Sequence, residues 1–153
     1  IRPYQDPFSP VPVTLGPVFS VADPEATILG RYVHSQAPAL AWKQSGGMRS
    51  YYGALPLASA TLLRAIFRTA GVHLYTEAPA WFLGSDRLLA FHAPAAIDAA
   101  VVLKQPRWVL DLYAQEIVAR DSTTFDLKLA PGQSALYLLG DRDEVDRYLQ
   151  DHE

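Results

Sequence analysis

Four aromatic side chains offer the clearest chemistry in this chain: Trp81 in "EAPAWFLGSD", Trp108 in "RWVLDLY", and the adjacent pair Tyr51 and Tyr52 in "MRSYYG". Flat π-faces of this kind can stack on sugar rings, and a Tyr hydroxyl adds a polar handle. Neighbouring strand residues point to opposite faces, so one of Tyr51 and Tyr52 faces inward and the other outward. Trp42, Trp81 and Trp108 fall on separate strand-like runs. The same rings could equally be core and seam residues, because Trp is highly buried on average. Trp81, Tyr51, Tyr52 and Trp108 are therefore the candidate carbohydrate-binding residues, with packing as the competing reading.

Other chemistry finds little footing. Splitting a glycosidic bond calls for two carboxylates set across it, one held protonated and one ionised. Asp111, inside "WVLDLY", is the most enclosed acid, with Glu116 just past a turn. Both belong to a plain hairpin, where a structural or solvated role is expected, and neither is assigned catalysis. The four histidines, at 34, 73, 92 and 152, show no ligand spacing, so no metal site is expected. His92 shares a strand face with Leu88 and Ala90, which suits a core or rim histidine. Ser50 has no base implied by spacing, and Gly46-Gly47 lacks the context of a phosphate-binding loop. The chain has no cysteine, which removes thiol nucleophiles, thiolate metal sites and disulfides together. No catalytic residue and no cofactor are expected.

At 153 residues and 50% hydrophobic, the chain can bury one ordinary core or two small ones. A net charge of −3 with scattered Lys and Arg argues against nucleic acid. No apolar run approaches the ~20 residues of a spanning helix, so no membrane insertion is expected. The start, Ile1-Arg2-Pro3, reads as a processed end or a cut within a longer polypeptide.

Residues 1–17 hold five of the twelve prolines and read as an extended strap, since proline has no amide for a ladder. β-like runs follow at 17–21, 26–33 and 39–44, and the Gly46-Gly47 turn predicts a hairpin of 39–44 with 48–53. The spacing of Leu62, Leu63, Ile66 and Ala70, widened by Phe67, predicts an amphipathic helix over 57–70. Pro56 suits its first position, and Gly71 with Val72 suits a Schellman stop. From residue 73, eight short strands are expected: "VHLYTE", "AWFLG", "RLLAFHA", "DAAVVL", "RWVLDLY", "EIVAR", "TFDLKL" and "SALYLL". In "TFDLKL" the alternation of Phe125, Leu127 and Leu129 with polar residues marks a sheet with one wet face. Ala130-Pro131-Gly132-Gln133 predicts a type II turn. Asp141 with Glu144 predicts a capping box opening a short last helix.

The stretch "GGMRSYYGALPLASATLLRAIFRTAGV", with "ATILGRYVHSQAPALAWKQ" before it, resembles the closing part of the amidotransferase-like trimerisation domain of the family 42 β-galactosidases. The later runs "RLLAFHAP", "WVLDLYAQEIVARD" and "TFDLKLAPGQSALYLLGD" resemble the small β-sandwich that closes many multidomain glycoside hydrolases. The chain departs from that pattern at Ala114-Gln115, where the hairpin usually has glycine. The resemblance implies catalytic glutamates in an upstream (β/α)₈ barrel, which takes ~250 residues and cannot be contained here. Glutaminase chemistry is excluded for want of a thiol.

The expected architecture is α+β: a small α/β remnant with one main helix, followed by an antiparallel β-sandwich. Its parts are a proline-rich strap (1–16), the tail of an amidotransferase-like domain (17–72), and a sandwich with a short terminal helix (73–153). The expected function is a non-catalytic C-terminal accessory region of a glycoside hydrolase, acting in assembly, stability or cleft shaping. Its partner is an upstream catalytic domain or chain. A carbohydrate-binding module and a protein-interaction module, including a homo-oligomer, stand as alternatives.

Overall fold

In the computed structural model, described over residues 4–5, 12–13, 17–54 and 59–151, the chain divides into two units, 1–63 and 64–153. The class is α+β, with a β-sandwich in the second unit.

The first unit opens with a short antiparallel pair, β1 (Tyr4–Gln5) and β2 (Pro12–Val13). The rest of the expected strap lies outside the described residues. The main sheet runs β3 (Thr27–Arg31), β4 (Pro38–Ser45) and β5 (Met48–Gly53) in sequence order, all antiparallel. Gly46 and Gly47 take φ of 54° and 82°, and Ser45 pairs with Met48 across them, as a two-residue hairpin turn requires. The 39–44/48–53 hairpin thus forms in the predicted register. The 17–21 run does not form a strand; of its amides, Val21 N–H reaches Pro38 O at 3.0 Å. Ala41 is the one buried hydrophobic residue among the described residues of this unit.

Helix α1 (Ala60–Thr69) starts later than the spacing suggests, because Ser59 caps it. Ser59 Oγ accepts from Leu62 N–H at 3.3 Å, and Ser59 O accepts from Leu63 N–H at 3.0 Å. Pro56 lies outside the described residues. The stop is the predicted Schellman motif: Val72 N–H bonds Phe67 O at 2.9 Å, Gly71 N–H bonds Arg68 O at 3.1 Å, and Gly71 has φ 73°. The division between units falls inside this helix, ahead of the border expected near residue 72. Two arginines explain why. Arg64 donates to Ala78 O at 2.7 Å and Arg68 pairs with Glu77, so the later turns of α1 are tied to the segment that leads into the second sheet.

That sheet has five strands, not eight: β6 (Trp81–Gly84), β7 (Leu88–His92), β8 (Ile97–Asp111), β9 (Glu116–Leu129) and β10 (Ser134–Gly140), in the order β6-β7-β10-β8-β9. "DAAVVL" and "RWVLDLY" merge into β8, and "EIVAR" and "TFDLKL" into β9. The polar, proline-bearing stretch between the first two reads as a turn but forms a bulge. Val102 pairs with Thr124 and Arg107 with Ser122, so four β8 residues face one on β9, and Pro106 sits where no ladder amide is needed. "VHLYTE" is not a strand. Tyr75 O accepts from Val102 N–H at 2.7 Å, but among the described residues the segment has no ladder partner and contributes ring packing instead.

The bulge is what makes two layers from one hydrogen-bonded sheet. The outer half of the β8/β9 hairpin supplies Ile97, Val101, Phe125, Leu127 and Leu129 to the same core as Leu89 and Phe91 of β7 and Ala135, Tyr137 and Leu139 of β10. Phe125 meets Tyr137 edge-on at 4.8 Å between centroids, and Phe91 meets Tyr137 at 6.1 Å. Burial alternates along the strands as period-2 patterning demands.

Helix α2 (Arg142–Asp151) packs on the opposite face of β8 and β10. Its capping box is reciprocal: Glu144 N–H to Asp141 Oδ1 at 2.8 Å, and Asp141 N–H to Glu144 Oε2 at 3.0 Å. Val145 on α2 and Leu110 on β8, both fully buried, stand apart from the main core.

Candidate functional site

The outer face of the five-stranded sheet is unevenly covered. Register places Trp81 beside His92 and His92 beside Ser134, while Leu83 lies beside Ala90 and Ala90 beside Leu136. These residues point away from the core, because the intervening Leu89 and Phe91 point into it. At the β8 and β10 end this face is roofed by α2. At the β6 edge it is bare: Trp81 is 62% exposed, Leu83 78% and Leu88 43%. A strand at a sheet edge with this composition presents both apolar side chains and an unpaired backbone row.

Trp81 is held rather than loose. Its ring lies 5.3 Å from that of His92 at 43°, and His92 Nδ1 is 2.9 Å from Ser134 Oγ, which fixes the imidazole. His92 is thus the rim histidine that its position suggests, half-buried beneath an exposed indole.

The other expected aromatics are not gathered with Trp81. Trp108 pairs with Gly140 at the far end of β10 from Ser134, three strands across from Trp81. Arg120 and Arg142 each place a guanidinium carbon 5.8 Å from the Trp108 ring centroid, so cations already occupy its surroundings. Tyr51 and Tyr52 belong to the other unit. Tyr51 pairs with Trp42, over whose ring Arg49 sits at 4.5 Å, while Tyr52 pairs with buried Ala41 and is 41% exposed.

Asp111 has a structural task. Its Oδ1 accepts from Tyr113 N–H at 2.9 Å and Ala114 N–H at 3.0 Å, organising the β8–β9 turn. In that turn Gln115 takes φ 55°, the conformation usually given to glycine. Asp111 also faces Tyr137 across the strands. Burial first, and the Asp111 charge second, push the Tyr137 phenol up to about 12. In the first unit Lys43 bridges Asp23 at 2.8 Å and Glu25 at 2.7 Å. These bonds raise Lys43 to about 12, and the Lys43 hydrogen bond, helped by the Glu25 amide, lowers Asp23. Among the described residues no three His, Cys, Asp or Glu side chains gather as metal ligands.

Sequence reasoning found Trp81 but not its setting. Leu83 and Leu88 join it only because the β6–β7 turn, closed by Ser85 N–H to Leu88 O at 2.8 Å, aligns the two strands. Compared with known protein families, with curated proteins and with solved structures, the chain matches none.

Proposed function

We propose that the chain is a non-catalytic accessory region of a glycoside hydrolase and that its β6 edge serves assembly, with a second copy of the chain as the partner. The single observation that supports this reading is the bare apolar end of the sheet, Trp81, Leu83 and Leu88, beside an end that α2 covers. Apolar strand surface at an edge is stabilised by pairing with another edge or by burial under another surface. The glycoside hydrolase setting rests on the resemblance of the strand and turn patterns. Light scattering from micromolar to near-millimolar chain tests the assembly role. Association that Leu83→Lys abolishes is expected; a strict monomer throughout overturns it. Turnover of galactosides by the isolated chain overturns the non-catalytic part.

A second reading is favoured by Trp81 itself, an exposed indole braced by a fixed imidazole, which is the form of a sugar-stacking platform. Oligosaccharide titration followed by tryptophan fluorescence separates the two, because a Trp81→Ala chain loses the response only if this ring carries the contact. A silent titration at millimolar sugar removes this reading.

A further inference from the structure

The β8 bulge does more than bend a hairpin. It splays Lys104, Gln105 and Arg107 out of the ladder toward His73 and Tyr75 on one side and the β6–β7 turn with Asp86 on the other. Together they border a cleft of about 560 Å³, a volume in the range of small-molecule sites. Every lining residue belongs to the second unit.

We propose that this cleft binds a small anionic sugar, a monosaccharide carrying a carboxylate or phosphate, with the acid group on Lys104 and Arg107 and the ring beside Tyr75. Charge is the first argument. Lys104 and Arg107 border the same cleft, and neither forms an ion pair among the described residues. Two cations thus face one carboxylate, Asp86, in the same cleft.

Geometry is the second. With its amide oriented to satisfy both contacts, Gln105 accepts from Arg107 Nε at 3.2 Å and from Nη2 at 2.6 Å. A neutral partner orients the guanidinium without cancelling its charge, which leaves the remaining N–H donors for an anion. Tyr75 is equally constrained. His73 meets it edge-on at 4.7 Å, Phe82 packs against it at 5.1 Å, and His73 Nε2–H donates to Val102 O at 2.8 Å. The carbonyl can only accept, so His73 presents Nδ1 as its remaining polar atom.

The mixture of groups points to a hydroxylated ring rather than a bare anion. Asp86 and Gln105 are planar polar groups suited to hydroxyls, while Tyr75, Leu103 and Leu139 supply an apolar wall that inorganic phosphate cannot use. The cleft meets β6 only at Gly84 and is lined by none of Trp81, Leu83 and Leu88, so the proposal does not depend on the assembly role.

The test is ¹H–¹⁵N NMR of the whole chain titrated separately with glucuronate, glucose 6-phosphate, glucose and inorganic phosphate. Saturable shifts confined to residues 73–75, 84–86 and 103–107 are expected, with at least one anionic sugar binding about tenfold more tightly than glucose or phosphate. Which of the two leads identifies the acid group. Lys104→Met and Arg107→Met should each weaken that binding about tenfold. Lys104 is exposed, so its variant carries the test even if Arg107→Met perturbs the fold. The proposal is overturned if shifts do not saturate by about 20 mM, if glucose or phosphate binds as well as either anionic sugar, or if Lys104→Met binds like the parent. Loss of self-association in Leu83→Lys should leave these titrations unchanged.

Discussion

The β3-β4-β5 sheet and the five-stranded sheet are built from similar material: β-branched and aromatic strands, tight turns and antiparallel ladders. Yet the first buries Ala41 among its described residues, whereas the second closes around a fourteen-residue cluster. Turn chemistry does not separate them, since Gly46 and Gly47 in one and Gly132 in the other take the positive φ their turns require. A second layer does. The β8/β9 hairpin is long enough to fold its outer half over β7 and β10, while β4 and β5 end after eight and six residues and have no such reserve. A ladder specifies which strands neighbour one another; burying one of its faces supplies most of the stability.

Substitutions in the two sheets should show this contrast most strongly. Phe91→Ala, at a fully enclosed position, is expected to cost about 3–5 kcal/mol in urea unfolding of the second unit. Leu29→Ala, at a residue 49% exposed in β3, should cost less than about 1 kcal/mol. Comparable losses would remove the distinction. Amide exchange should follow the same division, fast in β3–β5 and slow in β7, β8 and β10.

Alkaline titration reaches the enclosed core through Tyr137. The Tyr137 phenol is raised from 10.0 to about 12 in the folded chain, so above pH 10 the unfolded state loses its proton first. The stabilisation is complete below pH 10 and is lost as pH rises through about 12. The loss amounts to about 3 kcal/mol. Tyr137→Phe should flatten this part of the stability profile, and an unchanged slope would assign it to other groups.

Smaller effects test the local devices that both units share. Asp141→Ala breaks the capping box of α2 and should lower stability by about 1 kcal/mol, read as a shift in denaturation midpoint. Gln115→Gly relieves a positive φ and should raise it by about 0.5 kcal/mol, provided glycine's added freedom in the unfolded chain does not consume the gain. A destabilised Gln115→Gly would show that the Asp111-organised turn already accommodates the side chain.

The same contrast explains what could be read in advance. The Schellman stop at Gly71, the capping box at Asp141, the Gly46-Gly47 hairpin and the type II turn at Pro131-Gly132 each depend on a few consecutive residues. Their physics is local, and all four appear as anticipated, the last with Gln133 N–H to Ala130 O at 3.0 Å. The strand count after residue 73 is not local. Whether "LKQPR" turns or bulges depends on β9 continuing alongside it, and whether "VHLYTE" pairs depends on a neighbouring strand, which it lacks among the described residues. Trp81 was recognisable as an aromatic with chemical potential, but its exposure follows from β6 being last in the sheet.

Sequence alone therefore determined the α+β class, the stop of α1, the cap of α2, the tight turns and the alternation that aims Phe125, Leu127 and Leu129 inward, because these follow from backbone preferences and side-chain period. Only the tertiary structure decided which strands merge, which end of the outer face stays bare, and that Lys104 and Arg107 meet Tyr75 and Asp86 around one cleft. Those outcomes depend on residues far apart in the chain competing for the same neighbours, and local propensity carries no term for that competition.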